Sequence, residues 1–82
     1  MSDVKQEYIK LIKEIVSQLA QERQAQQMTQ ERLAVLVGTQ RSNISRMENG
    51  KQLPSLDLLT RVAGALGKRL EMKLATKESE PS

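Results

Sequence analysis

The sequence predicts an all-α fold, in which four helices form one compact domain and a single short β-strand follows them. Apolar residues recur at helical spacing in four segments, each bounded by a capping residue or a glycine. Only residues 68–75 alternate with a period of two. A length of 82 residues suits one small domain with a marginal core. We therefore divide the chain into a helical domain at residues 1–67, a dimerising strand at 68–75 and a disordered tail at 76–82.

Composition excludes several classes of function. The chain contains no cysteine and no histidine, which removes disulfides, thiolate and imidazole metal sites and the usual general base near neutral pH. Its one aromatic residue, Tyr8, cannot form the stacking surfaces that bind single-stranded nucleic acid. No apolar run approaches the ~20 residues that cross a bilayer. We expect a soluble cytoplasmic protein that is not an enzyme and that uses no metal, no cofactor and no membrane.

The first helix is predicted from about residue 3 to residue 26. Its apolar stripe, which Arg23 continues, consists of Tyr8, Ile12, Ile15, Val16, Leu19 and Ala20. Ile9 and Leu11 fall off this stripe. Either they meet a second surface or they are scattered, exposed aliphatic residues.

The second helix is predicted over residues 30–37. Thr29 is a good N-cap for it, and Gly38 ends it because glycine adopts the left-handed conformation without a steric cost. The expected buried side consists of Leu33, Ala34, Leu36 and Val37.

The third helix, predicted over residues 40–48, is polar over most of its surface. Thr39 or Gln40 caps it, and glutamine is a poor cap, so the helix start can shift by one residue. Ile44 and Met47 are three residues apart and therefore point inward together.

Ser55 caps the fourth helix, whose apolar face consists of Leu56, Leu59, Val62, Ala63 and Leu66.

Residues 68–75 are predicted to form a β-strand, because Leu70, Met72 and Leu74 alternate with Arg69, Glu71, Lys73 and Ala75. A lone strand leaves its backbone N–H and C=O groups unpaired. The same strand of a second copy, antiparallel across a two-fold axis, would pair them in a homodimer. The alternatives are a fifth helical turn or a frayed tail.

The net charge of +3 is concentrated in two short windows. Residues 38–52 carry Arg41, Arg46 and Lys51 against the single carboxylate of Glu48, and residues 68–74 also have an excess of positive charge. A localised basic patch suits a polyanion partner, although solvated basic faces are also common.

Two short helices joined by a tight turn that contains glycine, with the second helix polar on its outer side, define a helix-turn-helix that enters the DNA major groove. This arrangement is found here together with five further sequence segments: Thr29 to Ala34, Val37-Gly38, Ile44 to Lys51, Pro54-Ser55-Leu56 and Ala63 to Gly67. Through these segments the chain resembles, over about residues 15–67, the Xre or lambda-repressor-like family of helix-turn-helix regulators. The resemblance implies a compact lambda-repressor-like domain and double-stranded DNA as a partner.

The third helix offers hydrogen-bond donors near its N-terminus, where a groove-inserted helix lies deepest. Arginine can bind guanine through two hydrogen bonds, and our base-reading candidates are Arg41, Ser42, Ser45 and Arg46. The resemblance implies base contacts at Arg41, Ser42 and Arg46, but not at Ser45. It implies phosphate contacts at Gln30, Gln40, Asn43 and Asn49. We add Thr29, Thr39 and Lys51 to the phosphate-binding candidates. The alternative for each is a solvated surface side chain.

The resemblance further implies an ion pair between Arg23 of the first helix and Glu48 of the third, which would hold the recognition helix on the scaffold. We expect truncation of either side chain to destabilise the fold by ~3–5 kcal/mol if the pair is buried, and by ~1 kcal/mol or less if it is exposed.

Two functions compete. The first is a dimeric regulator that reads an inverted repeat through helix 40–48 and represses a promoter. The second is the antitoxin of a toxin-antitoxin pair, which binds a toxin or other protein partner and autoregulates its operon; small antitoxins with a dimerising C-terminal strand are similar to this chain. An enzyme is a weak alternative, because the sequence offers no nucleophile-base pair and no metal cluster.

Overall fold

The computed structural model describes residues 2–76, with side chains from residue 5 onward. Four helices follow one another: α1 (Ser2–Ala25), α2 (Gln30–Val37), α3 (Arg41–Glu48) and α4 (Leu56–Ala65). The predicted all-α class with four helices is confirmed for this part of the chain. None of the described helices has the length and apolar character that a membrane crossing requires. All but the first residue of the predicted tail, residues 76–82, lies outside the described residues.

All four helices contribute side chains to one core. Both α1 and α2 pack against α3 and α4, so α3 is held from two sides. The largest fully buried side chains are Leu33, Ile44, Leu59 and Val62. Around them lie the other buried apolar residues, which are Ile12, Val16, Leu19, Ala34, Val37, Met47, Ala63 and Leu66.

Local capping interactions set the boundaries of α2 and α4. Thr29 Oγ1 accepts a hydrogen bond of 3.0 Å from the backbone N–H of Arg32, and Ser55 Oγ accepts one of 3.0 Å from that of Leu58. Gly38 ends α2 at φ 83° and ψ 36°, in the left-handed region that other residues adopt only at a cost. These boundaries agree with the sequence prediction.

The two halves of α1 differ in burial. Its second half is held in the core by Val16 and Leu19, and Ile12 is the first buried residue of the stripe. Tyr8 and Leu11 are 54% and 57% exposed. The predicted stripe is therefore correct from Ile12 onward and wrong at Tyr8, because the core does not extend to the N-terminal turns of α1.

Two leucines that were predicted to be buried are half exposed. Leu36 lies roughly 100° around α2 from the centre of its buried side, at 3.6 residues per turn. Leu56 is the first residue of α4 and follows an exposed loop at residues 51–53. Both positions flank the core instead of entering it.

The β-strand predicted over residues 68–75 is not formed in the described chain. Residues 68–76 are neither helical nor part of a sheet. A strand needs a hydrogen-bonded ladder with a second strand, and none exists within residues 2–76. Leu70 packs partly buried against the core, whereas Met72 and Leu74 are exposed.

Candidate nucleic-acid interface

A tight turn joins α2 to α3. The backbone N–H groups of Gly38 and Thr39 both donate to the carbonyl oxygen of Ala34, each at 2.9 Å. These bonds satisfy carbonyl groups that the end of a helix would otherwise leave unpaired. Only Gly38, Thr39 and Gln40 separate the two helices, so α3 starts at a defined angle to α2.

The two faces of α3 have different environments. Ile44 is fully buried and Met47 is 2% exposed, and together they seat the helix on the core. Arg41, Ser42 and Arg46 are exposed to solvent. An eight-residue helix thus presents two arginines and a hydroxyl outward from its first two turns.

The helix starts at Arg41, with Gln40 as the N-cap residue in an extended conformation. The Gln40 side chain makes no capping hydrogen bond. Thr39, the alternative cap, uses its hydroxyl oxygen to accept a hydrogen bond of 2.7 Å from Nδ2 of Asn43. The first turn of α3 therefore has no side-chain cap, and a free helix N-terminus favours an anion such as phosphate.

A line of hydrogen bonds runs along the outer face of α3. Asn43 donates to Thr39, as described above, and its Oδ1 accepts a bond of 2.9 Å from Nη2 of Arg46. The spacings of four and three residues place these side chains on adjacent turns of one face. Asn43, predicted to contact phosphate, thus lies in position to orient the guanidinium group of Arg46.

A hydrogen bond between two side chains spans the C-terminal turn of α3. Asn49 Nδ2 donates to Ser45 Oγ at 3.3 Å, and Ser45 is only partly exposed. Ser45 is therefore less accessible than the other base-reading candidates. Asn49 and Lys51, which follow the helix, are exposed.

Glu48 faces inward, where three hydrogen bonds hold its carboxylate. Arg23 donates from Nε to Oε2 at 2.7 Å and from Nη2 to Oε1 at 3.0 Å, and Gln30 Nε2 donates to Oε1 at 2.9 Å. The Arg23 and Glu48 side chains are only 11% and 7% exposed. Nη1 of Arg23 also donates to the carbonyl oxygen of Met28 at 2.6 Å. This network joins α1, the start of α2 and the end of α3.

Gln30, predicted to contact phosphate, is part of this network. It is the first residue of α2, and its amide group bridges to Glu48. Thr29 is likewise engaged, since its hydroxyl oxygen caps α2. Both side chains hold the scaffold together, whereas the exposed Gln40 makes no side-chain hydrogen bond to any of residues 5–76.

The inward position of Glu48 also determines the charge of the outer surface. Because Arg23 pairs with the only carboxylate of residues 38–52, Arg41, Arg46 and Lys51 form a group of three exposed cations. None of the three forms an ion pair with a carboxylate among residues 5–76. The surface around α3 is therefore more basic than a simple charge count of this window indicates.

Sequence reasoning did not identify two long-range hydrogen bonds that support this surface. Arg61 Nη1 donates to the carbonyl oxygen of Val37 at 3.1 Å and so closes the end of α2 beside the turn. Gln26 Nε2 donates to the carbonyl oxygen of Leu66 at 2.7 Å and closes the end of α4. Neither contact has a local signal in the sequence. The spacing of Thr39, Asn43 and Arg46, in contrast, is a helical pattern that could have revealed their hydrogen bonds.

A helix-turn-helix family model matches residues 19–72, which is more than half of the chain. The chain belongs to the Xre or lambda-repressor-like helix-turn-helix family. The match includes all of α2, α3 and α4 and the last turns of α1, from Leu19 onward, and it extends past residue 67, where the resemblance in the sequence ends. No curated protein and no solved structure gave a significant match. Membership of this family makes the chain a DNA-binding transcription regulator.

Proposed function

We propose that the chain is a sequence-specific regulator that acts as a dimer, reads an inverted repeat in double-stranded DNA and represses the promoter that contains it. The observation that carries this proposal is the division of α3 into a buried face, with Ile44 and Met47, and an outer face with exposed Arg41 and Arg46. A helix seated in this way can enter a major groove with its N-terminal turns foremost.

Arg41 and Arg46 are the proposed principal base readers. A bidentate contact between arginine and guanine contributes ~1–3 kcal/mol of discrimination against the wrong base. Arg41 is the first residue of α3 and is free to extend from the helix N-terminus. Arg46 is oriented by Asn43, which reduces the entropy that its side chain loses on binding. Ser42 is also exposed, and its short side chain offers a hydroxyl group for a further hydrogen bond to a base.

The proposed phosphate contacts lie around this helix. Gln40 is exposed beside the uncapped N-terminus of α3, and Asn49 and Lys51 are exposed at its other end. Thr39 precedes Gln40, and its hydroxyl oxygen accepts a hydrogen bond from Asn43 in the first turn of the helix. Thr29 and Gln30 are at the N-terminus of α2, where the helix dipole favours an anion. Such contacts fix the register of the helix on the duplex without reading its sequence.

A dimer would explain how one short helix reaches useful specificity. Two recognition helices enter successive major grooves when they lie about 34 Å apart. We assign the joining of the two copies to residues 68–75, whose alternating pattern lacks a partner within the described chain. We further propose that the protein acts by binding alone, without a catalytic reaction.

Selection of binding sites from a random pool of double-stranded DNA tests this function with the full chain. We expect an enriched inverted repeat whose half-sites are centred one helical turn apart, or a multiple of it. Binding to the selected site should weaken steeply between about 50 and 200 mM salt, because neutralised phosphates release counterions. A pool without enrichment, or an affinity that is independent of salt, would refute the proposal.

A second candidate function is that of an antitoxin, which binds a protein partner in addition to DNA. The exposure of Tyr8 and Leu11, in the part of α1 that precedes the family match, favours such a partner surface. Co-expression with the product of the neighbouring gene tests it. A complex that survives purification and is lost in a Tyr8→Ala/Leu11→Ala double variant would support this function, and the absence of any complex would exclude that partner.

A further inference from the structure

We propose that residues 69–75 pair antiparallel with the same residues of a second copy in one particular register, with Met72 on the two-fold axis. This inference rests on the dimer proposed above and specifies which residues face each other in it. It follows from which side of the segment faces the domain, from the alternation of charge along it and from the absence of a pairing partner within the described chain.

The segment already has two distinct sides in the single chain. Leu70 packs against the core, so its side of the segment faces the domain. Arg69 and Glu71 are two residues apart, form an ion pair of 2.8 Å and are 83% and 73% exposed, so we place both on the opposite, solvent side. In an extended segment, Leu70, Met72 and Leu74 therefore share the inner side and Glu71 and Lys73 share the outer side.

Because one side of the segment is apolar and the other is charged, half of all possible registers are excluded. Residues directly opposite each other in an antiparallel pair point to the same face of the sheet. A shift by one residue would place at least one of the two leucines opposite a charged side chain and turn one copy's apolar side toward solvent. The two-fold axis must therefore run between the two copies of one residue, which then face each other across it.

Charge then distinguishes the remaining registers. With the axis at Glu71 or at Lys73, that residue faces its own copy, and like charges directly opposite are destabilising. With the axis at Leu70, Lys68 faces the partner's Met72 on the apolar side and Leu74 has no opposite residue in the segment. With the axis at Leu74, Met72 faces the partner's Thr76, a polar residue on the apolar side.

With the axis at Met72, both sides of the ribbon are complementary. On the inner side, Leu70 faces the partner's Leu74, and Met72 faces its own copy. On the outer side, Glu71 faces the partner's Lys73, and symmetry makes each of these pairs occur twice. This register therefore satisfies the apolar pattern and the charge pattern together.

The domain also offers a surface for the inner side of the ribbon. A two-stranded ribbon by itself is only marginally stable in water. Beside Leu70 lies an open groove of about 460 Å³, whose lining includes Ile15 and Leu19 of α1. In the proposed register, the partner's Leu74 is brought next to Leu70 and so to this groove. Leu74, which is fully exposed in the single chain, would thereby become covered.

Single cysteine variants test the register, because the natural chain contains no cysteine. Met72→Cys places two thiols directly opposite each other, within the distance that a disulfide spans. Leu74→Cys is the matched control, since it lies on the same side but its two copies would be separated by four residue positions, ~13 Å along the strand. Under mild oxidation we expect a disulfide-linked dimer with Met72→Cys and little with Leu74→Cys or Leu70→Cys. Preferential linkage of Leu70→Cys or Leu74→Cys would overturn the register.

Charge reversal provides an independent test by sedimentation equilibrium of the full chain. Glu71→Lys and Lys73→Glu should each raise the dimer dissociation constant by about tenfold or more, because two attractive pairs become repulsive. The Glu71→Lys/Lys73→Glu double variant should restore the dimer. Arg69→Glu is the comparison variant, because Arg69 faces the partner's Ala75 in this register; the change acts on the dimer only indirectly, through Glu71, and should weaken it far less than either reversal. If the double variant stayed weak, the register would be wrong.

The same samples separate failure of this inference from failure of the proposed function. A wild-type dimer that is insensitive to all these variants overturns the pairing and leaves a dimeric regulator that associates through another surface. A wild-type chain that stays monomeric at micromolar concentration in the presence of its selected DNA site overturns both. Recovery of DNA affinity in the double variant, together with recovery of the dimer, supports both.

Discussion

The inner and outer faces of α3 differ in almost every physical respect, although the helix has only eight residues. On the inner face, Ile44 and Met47 are buried, and the Glu48 carboxylate accepts three hydrogen bonds. On the outer face, Arg41 and Arg46 are exposed and lack carboxylate partners among residues 5–76. The inner face holds the fold together, and the outer face is available for DNA.

This difference has a practical consequence for mutagenesis. Substitutions on the inner face should lower the free energy of unfolding, and any loss of DNA binding there would follow from the loss of structure. Substitutions on the outer face should lower DNA affinity and leave unfolding unchanged. Variants of each face therefore test whether stability and DNA affinity can be changed separately.

Glu48→Ala should destabilise the fold by about 3–5 kcal/mol, because it leaves the Arg23 guanidinium without its carboxylate in a site that is largely shielded from water. Urea or thermal unfolding measures this loss. Glu48→Gln retains an acceptor for part of the network. Its free energy of unfolding should lie between those of Glu48→Ala and the wild type, so the test stays informative if Glu48→Ala does not fold.

Asp57→Ala is the matched control for this prediction. It breaks an ion pair of the same length, 2.7 Å, between Asp57 and Arg61, whose side chains are 73% and 50% exposed. Exposed pairs within a helix contribute about 0.5 kcal/mol or less. An unfolding curve for Glu48→Ala that coincides with that of Asp57→Ala would show that the inner face does not hold α3 through Glu48.

Asn43→Ala should weaken binding to the selected DNA site by about 0.5–1.5 kcal/mol, because Arg46 must then be ordered on binding without its hydrogen bond to Asn43. Fluorescence anisotropy measures the dissociation constant. In an Arg46→Ala background the same change should cost less, because the part of the loss that comes from orienting Arg46 is then absent. A loss that remains there measures the phosphate contact proposed for Asn43, and fully additive losses would show that Asn43 does not act through Arg46.

Gln40→Ser should stabilise the fold by about 0.5–1 kcal/mol, because serine can cap the first turn of α3, which Gln40 leaves uncapped. Thr29→Ala, which removes an existing cap, should cost about 1 kcal/mol and provides the opposite control. Chemical denaturation detects both changes. If Gln40→Ser left the unfolding free energy unchanged, the missing side-chain cap at the N-terminus of α3 would not lower the stability of the fold.

The parts of the fold that the sequence predicted well depend on local chemistry. Thr29 and Ser55 cap the helices that follow them, and Gly38 supplies a left-handed residue where α2 ends. Each signal lies within a few residues of its effect. The inward pair Ile44 and Met47 was readable for the same reason, since their spacing alone places them on one face.

The parts that the sequence did not predict depend on competing local signals or on contacts between distant segments. The start of α3 was ambiguous because Thr39 and Gln40 are both polar; Gln40 is the N-cap residue but makes no capping hydrogen bond, and the Thr39 hydroxyl oxygen accepts from the side chain of Asn43. The exposure of Tyr8 depends on how far the core extends along α1, which no local pattern encodes. A strand at residues 68–75 requires a pairing partner that the described chain does not contain.

Arg41→Ala tests the separation of the two faces most directly, when the free energy of unfolding and the affinity for the selected DNA site are measured on the same preparation. The unfolding free energy should stay within about 0.5 kcal/mol of wild type, because the side chain is exposed. The binding free energy should fall by about 1–3 kcal/mol, through the loss of a base contact. Unchanged affinity in a fully folded variant would contradict the assignment of the outer face of α3 to DNA.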